Sequence, residues 1–136
     1  MRFLTIFIIL ICVLDISAQQ SWNVDLEFHW DDTTLISNFR DSRYSDIWGF
    51  SLDNRKYVAM GSTYGAHFFD ITDPAQTAYI GAVPGAFQGY DVNHRDYKEY
   101  RGYIYACAQQ GDATLQIIDA NYLPDSVHLV YDSDTL

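Results

Sequence analysis

Residues 65–74 read Gly65-Ala66-His67-Phe68-Phe69-Asp70-Ile71-Thr72-Asp73-Pro74, and residues 115–124 read Leu115-Gln116-Ile117-Ile118-Asp119-Ala120-Asn121-Tyr122-Leu123-Pro124. Both are apolar runs that end on an aspartate and reach a proline a few residues later. Pro74 fixes φ and lacks the N–H that a central ladder would use, while Thr72 and Asp73 can accept hydrogen bonds from backbone amides. A strand with its stop signal attached therefore occurs twice, about 50 residues apart, which predicts an internal repeat.

The match extends outward. Phe69-Asp70-Ile71 aligns with Ile118-Asp119-Ala120, Asp73-Pro74 with Leu123-Pro124, and Tyr44-Ser45-Asp46 with His94-Arg95-Asp96. The slight drift in offset has a local cause. Ser51 to Lys56 make a longer turn than Arg101-Gly102, and Gln109 to Ala113 later restore most of the difference. Repeats of one supersecondary unit tolerate such changes in their turns.

Each repeat holds four strand-like runs rich in Tyr, Phe, Ile and Val. The first has Tyr44 to Phe50, Tyr57 to Ser62, Ala66 to Ile71 and Ala78 to Val83; the second has Asp91 to Tyr100, Tyr103 to Ala108, Leu115 to Asp119 and Val127 to Tyr131. They are too short, and too often broken by Gly, Asp, Asn and Pro, for helices. The expected fold is all-β: a β-propeller, with two four-stranded blades of an incomplete ring at about 44–86 and 90–134. Rings need about four to eight blades, so residues 44–136 are read as truncated before a third, the remaining blades belonging to a longer protein. A ring completed by oligomerisation is the alternative.

Residues 19–43 form an amino-terminal segment in which Val24 to Trp30 alternate at period two, as a ring-closing strand would. Its Trp22, Phe28 and Trp30 could form a stacking platform for carbohydrate, but aromatic packing between blades is the simpler use. Residues 1–18 have the order of a secretory signal peptide: Arg2, an apolar run from Phe3 to Leu14, then Ser17-Ala18 before Gln19. The run is short for a permanent membrane span, so the mature chain is expected to be secreted, extracellular or at the cell surface. Cys12 follows bulky residues rather than the small ones a lipid-attachment signal needs. After cleavage Cys107 would be the only cysteine, and its apolar surroundings predict a buried, inert thiol.

Over its 136 residues the chain is 49% hydrophobic and 16% aromatic, which excludes a disordered tail. Its net charge of -10, from 8 basic and 18 acidic residues, excludes a phosphate-binding surface and makes nucleic acid an unsuitable partner.

The segments Tyr44-Ser-Asp-Ile-Trp-Gly-Phe, Gly65-Ala-His-Phe-Phe-Asp-Ile-Thr-Asp-Pro, His94-Arg-Asp-Tyr-Lys-Glu-Tyr, Leu115-Gln-Ile-Ile-Asp and Leu123-Pro-Asp-Ser-Val resemble the LVIVD-repeat propeller proteins. More narrowly, the chain looks like the secreted choice-of-anchor B family, over about residues 44 to 134. The resemblance implies further blades and a carboxy-terminal surface-sorting segment. It supplies no catalytic residues to carry over.

The leading candidate site is Asp46, His94, Arg95 and Asp96. If first strands line a central channel, Asp46 and Asp96 occupy equivalent positions beside it, with His94 and Arg95 next to the second. Such a cluster could bind a polar ligand or ion, or do acid–base chemistry. The simpler reading has the aspartates bonding backbone amides between blades and Arg95 pairing with one of them. His67 aligns with Gln116, so a polar side chain there is interchangeable, and His29 and His128 stand alone. No spacing matches a zinc site, Asp70 and Asp73 supply too few oxygens for a calcium loop, and Gly81, Gly85 and Gly89 form no phosphate fingerprint. Asp31-Asp32 and Asp132-Ser-Asp134 read as solvated acidic loops. No metal, cofactor or catalytic residue is assigned. The expected function is a binding or scaffold module for a protein or carbohydrate ligand, the rival being a hydrolase or lyase with its site at the channel mouth.

Overall fold

The computed structural model describes residues 24–133 except Asn93 and Ala113. The signal-like residues 1–18, Trp22 and Asp134 lie outside the described residues. Among the described residues the chain is all-β, with eight strands in two four-stranded antiparallel sheets and a single short 3-10 turn over Pro74–Gln76. The first sheet runs β1 (Tyr44–Leu52), β2 (Arg55–Ser62), β3 (Gly65–Asp70) and β4 (Ala78–Pro84); the second runs β5 (Arg95–Tyr100), β6 (Tyr103–Ala108), β7 (Leu115–Asp119) and β8 (His128–Ser133). In each, the spatial order follows the chain. The fifth strand begins at Arg95 rather than Asp91, because Asp91 lies in a turn.

The registers of the second and third ladders repeat as well as the order, whereas β1 bulges between Tyr44 and Ile47, around Asp46, where β5 pairs without a shift. Ala59 faces Phe68 in the first sheet as Tyr105 faces Ile117 in the second, and Tyr57 faces Asp70 as Tyr103 faces Asp119. Both last ladders slip at the same point: Ile80 is left over between Gly81 and Tyr79, and Val130 between Tyr131 and Leu129. An extra residue at one equivalent place twists both outer strands alike. The turn between β3 and β4 works as its residues predict: Asp70 accepts from Thr72 N (2.9 Å), Thr72 Oγ1 from Lys56 N (3.0 Å) and Asp73 from Ala75 N (3.2 Å). Asp70 also pairs with Arg55.

The alternation of side chains gives each sheet a forward and a back face. On the first sheet Phe50, Tyr57, Ala59, Ala66 and Phe68 point forward; on the second Tyr97, Ile104, Ala106 and Ile118 point back, and together they form one buried core. Close approach depends on Gly61, where a Cβ would lie 2.6 Å from Ser45 Oγ and 3.2 Å from the Tyr97 ring. The forward face of the second sheet, with Tyr103, Tyr105, Cys107 and Ile117, has no sheet over it among the described residues. Cys107 is consequently exposed, not buried as its apolar neighbours suggested.

Residues 24–43 contain no strand. Their alternation instead brings Trp30 onto the back face of the first sheet, with ring centroids 5.0 Å from His67, 5.2 Å from Phe69 and 5.6 Å from Tyr79. Asp132 and Ser133 belong to β8, where Asp132 accepts from Thr114 and Gln116, so this is not a free acidic loop.

Candidate functional site

The four candidate residues divide between two environments. Asp96 lies on an exposed face of β5, where Lys98 Nζ donates to it at 3.0 Å. That bond, the largest of the influences on it, lowers its pKa from the usual carboxylate value, and the Asp46 carboxyl lies close enough to act on it as well. The same Nζ stands 4.1 Å from the centroid of the Trp48 ring. Asp46 and Asp96 therefore meet beside the β1–β5 seam, with Lys98 bridging the carboxyl to the ring. This cluster is wet: both members of the ion pair are about 60% exposed, 59% and 62%. A pair so placed contributes little to stability.

Arg95 points the other way. Period two puts it on the face of Tyr97, and it is buried between the sheets. Its Nε donates to Ser62 O at 2.7 Å and an amino nitrogen to Phe87 O at 2.6 Å, which ties the second sheet to the end of β2 and to the β4–β5 connection. A Cβ on Gly85 would overlap the guanidinium, so that position needs glycine for the arginine to enter. Arg95 pairs with neither aspartate, because the backbone alternation separates them, and burial lowers its pKa. His94, just before β5, is exposed, and its main chain bonds the β6–β7 hairpin at Gln109 N (3.1 Å) and Gln110 Oε1 (3.3 Å).

A second polar cluster surrounds His67, which alignment with Gln116 had made look interchangeable. His67 is buried under Trp30; its Nε2 lies 2.8 Å from Ser62 Oγ and its Nδ1 3.3 Å from the Tyr79 hydroxyl. Burial lowers its pKa, the nearby Asp32 opposing this weakly. Serine beside histidine invites a nucleophilic reading, but Ser62 is buried and its oxygen accepts from Tyr64 N (3.0 Å) and Gly65 N (3.2 Å). Those bonds close the β2–β3 hairpin, and the hydroxyl proton is shared between the imidazole and Gly65 O (3.4 Å), so the pair is a turn anchor. In the second sheet Gln116 takes the equivalent place and bonds Pro84 O (3.1 Å) and Asp132 (3.0 Å). Both strands thus carry a polar side chain there that reaches out of its own strand.

Among the described residues no group of three or more His, Cys, Asp or Glu could hold a metal ion, and no helix is long and apolar enough to cross a membrane. No family model, no curated protein and no solved structure matches the chain.

Proposed function

We propose that the chain supplies two blades of a β-propeller that acts outside the cell as a binding or scaffold module, and that the forward face of its second sheet receives a further sheet of the same kind. The repeated register carries this reading. On the first sheet, Tyr57, Ala59, Ala66 and Phe68 are covered by the back face of the second. The same positions on the second sheet hold Tyr103, Tyr105, Leu115 and Ile117, a face of the same apolar character. A covering sheet would bury Cys107 with it. The signal-like order of residues 1–18 and the LVIVD-like segments support the extracellular address and the membership, which remain part of this proposal. Arg95 and His67 are read as structural residues, and no catalytic role is assigned.

Two neighbouring isoleucines test it, because Ile117 points forward and Ile118 back, the latter fully buried. Ile118→Asp should unfold the chain, since an unpaired buried carboxylate costs several kcal/mol. Ile117→Asp should leave the melting temperature nearly unchanged while abolishing concentration-dependent association and binding of a hydrophobic dye by the wild-type chain. If Ile117→Asp unfolds the chain as fully as Ile118→Asp, or the wild type stays monomeric and binds no dye, the forward face is not an assembly surface.

A further inference from the structure

The β2–β3 hairpin, the chain leading into β1 and the β4–β5 connection meet at one end of the first sheet. Between them lies a groove of about 350 Å³, walled by Leu35 and Ile36, by Thr63 and Tyr64, and by Gln88 and Gly89. This volume lies within the range of small-molecule sites. We propose that the groove binds a neutral sugar ring.

Three features point to that ligand class. First, the walls are tied together in advance. Gly89 N donates to Thr63 O (2.9 Å), Thr63 Oγ1 to Ile36 O (2.7 Å) and Arg43 Nε to Leu35 O (3.0 Å), so no segment has to order on binding. Second, the lining has an apolar part and a neutral polar part, with no charged side chain. The exposed Tyr64 ring, with Leu35 and Ile36, suits the C–H face of a pyranose, whereas an ion or a nucleotide would find no counter-charge. Third, hydrogen-bonding capacity is left over. Among the described residues the Tyr64 hydroxyl has no partner, and Gln88 spends one N–H on Gly85 O (3.0 Å) and keeps its carbonyl oxygen. Thr34, at the rim, donates to Asp32 and can still accept. Donors and acceptors around one ring face match the alternating hydroxyls of a sugar.

The inference deepens the binding-module reading by naming a ligand class. Every wall lies within residues 34–89, so a chain that takes no further sheet would still bind, and one that assembles without binding sugar would overturn this inference alone. The test is saturation-transfer NMR on the full chain with the methyl glycosides of glucose, galactose, mannose and N-acetylglucosamine at millimolar concentration, and N-acetyl-glycylglycine amide as a peptide probe. At least one glycoside should receive magnetisation. Tyr64→Ala and Gln88→Ala should each weaken it about tenfold, and Tyr64→Phe, which keeps the ring, should weaken it less than Tyr64→Ala. Transfer to no glycoside, equal transfer in both alanine variants, or transfer to the peptide probe alone would overturn the proposal.

Discussion

Arg95→Ala separates a structural clamp from a ligand-binding arginine. The wild-type guanidinium makes two charge-assisted bonds, to Ser62 O at 2.7 Å and Phe87 O at 2.6 Å. Each such bond contributes about 1.5–3 kcal/mol. Truncation also removes the aliphatic stem from between the sheets and strands the Ser62 carbonyl in the core. Against this, the variant no longer buries a positive charge that has no carboxylate partner among the described residues. We expect a net loss of about 2–4 kcal/mol, or about 4 °C in Tm for each kcal/mol at this chain length. Urea denaturation followed by circular dichroism measures it. Arg95→Lys should recover only part of the loss, because a single ammonium on a flexible stem cannot span two carbonyls as the planar fork does. A loss below about 0.5 kcal/mol for Arg95→Ala, or wild-type stability for Arg95→Lys, would refute the clamp. A variant that kept its Tm but lost ligand binding would return Arg95 to the candidate site.

Three further outcomes follow from the same geometry. His67 has its pKa depressed by burial, so the stability it contributes is complete above the ordinary histidine value of about 6.5 and is lost as pH falls toward its folded value; His67→Gln should flatten the slope of stability between about pH 7 and 5, and an unchanged slope would place its origin elsewhere. Asp96→Asn should leave the melting curve unaltered, because the carboxylate and its Lys98 partner are both solvated; a clear drop in Tm would mean that the Asp46–Asp96 contact bears weight. Mass spectrometry of exported protein should find an amino terminus at or near Gln19, whereas intact residues 1–18 on a cytoplasmic protein would remove the extracellular address.

The strands and their repetition were legible because the information is local: alternation, turn residues and the Asp-to-Pro stops recur in each half, and turn insertions account for the drift. The direction of Arg95 was also present, though overlooked. Period two groups Arg95 with Tyr97 and sets Asp96 with Lys98 on the opposite face, and an arginine sharing a face with a core tyrosine is a signal of burial. The triple His94-Arg95-Asp96 concealed it by looking uniformly polar. The place of Trp30 is hidden for a different reason. The alternation from Val24 to Trp30 states only that every second side chain is apolar, and pairing also needs a free strand edge. The chain instead lays its rings on His67, Phe69 and Tyr79, a contact between residues dozens of positions apart that no local pattern encodes. The groove beside Tyr64 was illegible in the same sense, since its walls come from three separate connections.

The two faces of the first sheet are closed by different means, and this gives the molecule a direction. Its forward face is covered by a sheet in matching register, an interface that can in principle be copied, because the second sheet presents the same positions onward. Its back face is covered on the β3–β4 side by irregular chain carrying Trp30, which is no copy of the sheet-on-sheet contact, since residues 24–43 contribute no sheet face of their own. A shallow apolar groove of about 220 Å³ remains beside it, between Phe28 and Trp30 on one side and Ile47, Val58 and Met60 on the other. In the proposed ring, the forward face of the second sheet takes the next blade, and the part of the first sheet's back face that Trp30 leaves open is where the last blade would have to pack. The clamp fits the same logic. Arg95 reaches back from the start of β5 to carbonyls at the end of β2 and in the β4–β5 connection, so each added sheet can be locked to its predecessor at the end where the chain crosses over. The equivalent of Ser62 on the second sheet is Ala108, whose carbonyl is where the next sheet's first strand would have to place a donor.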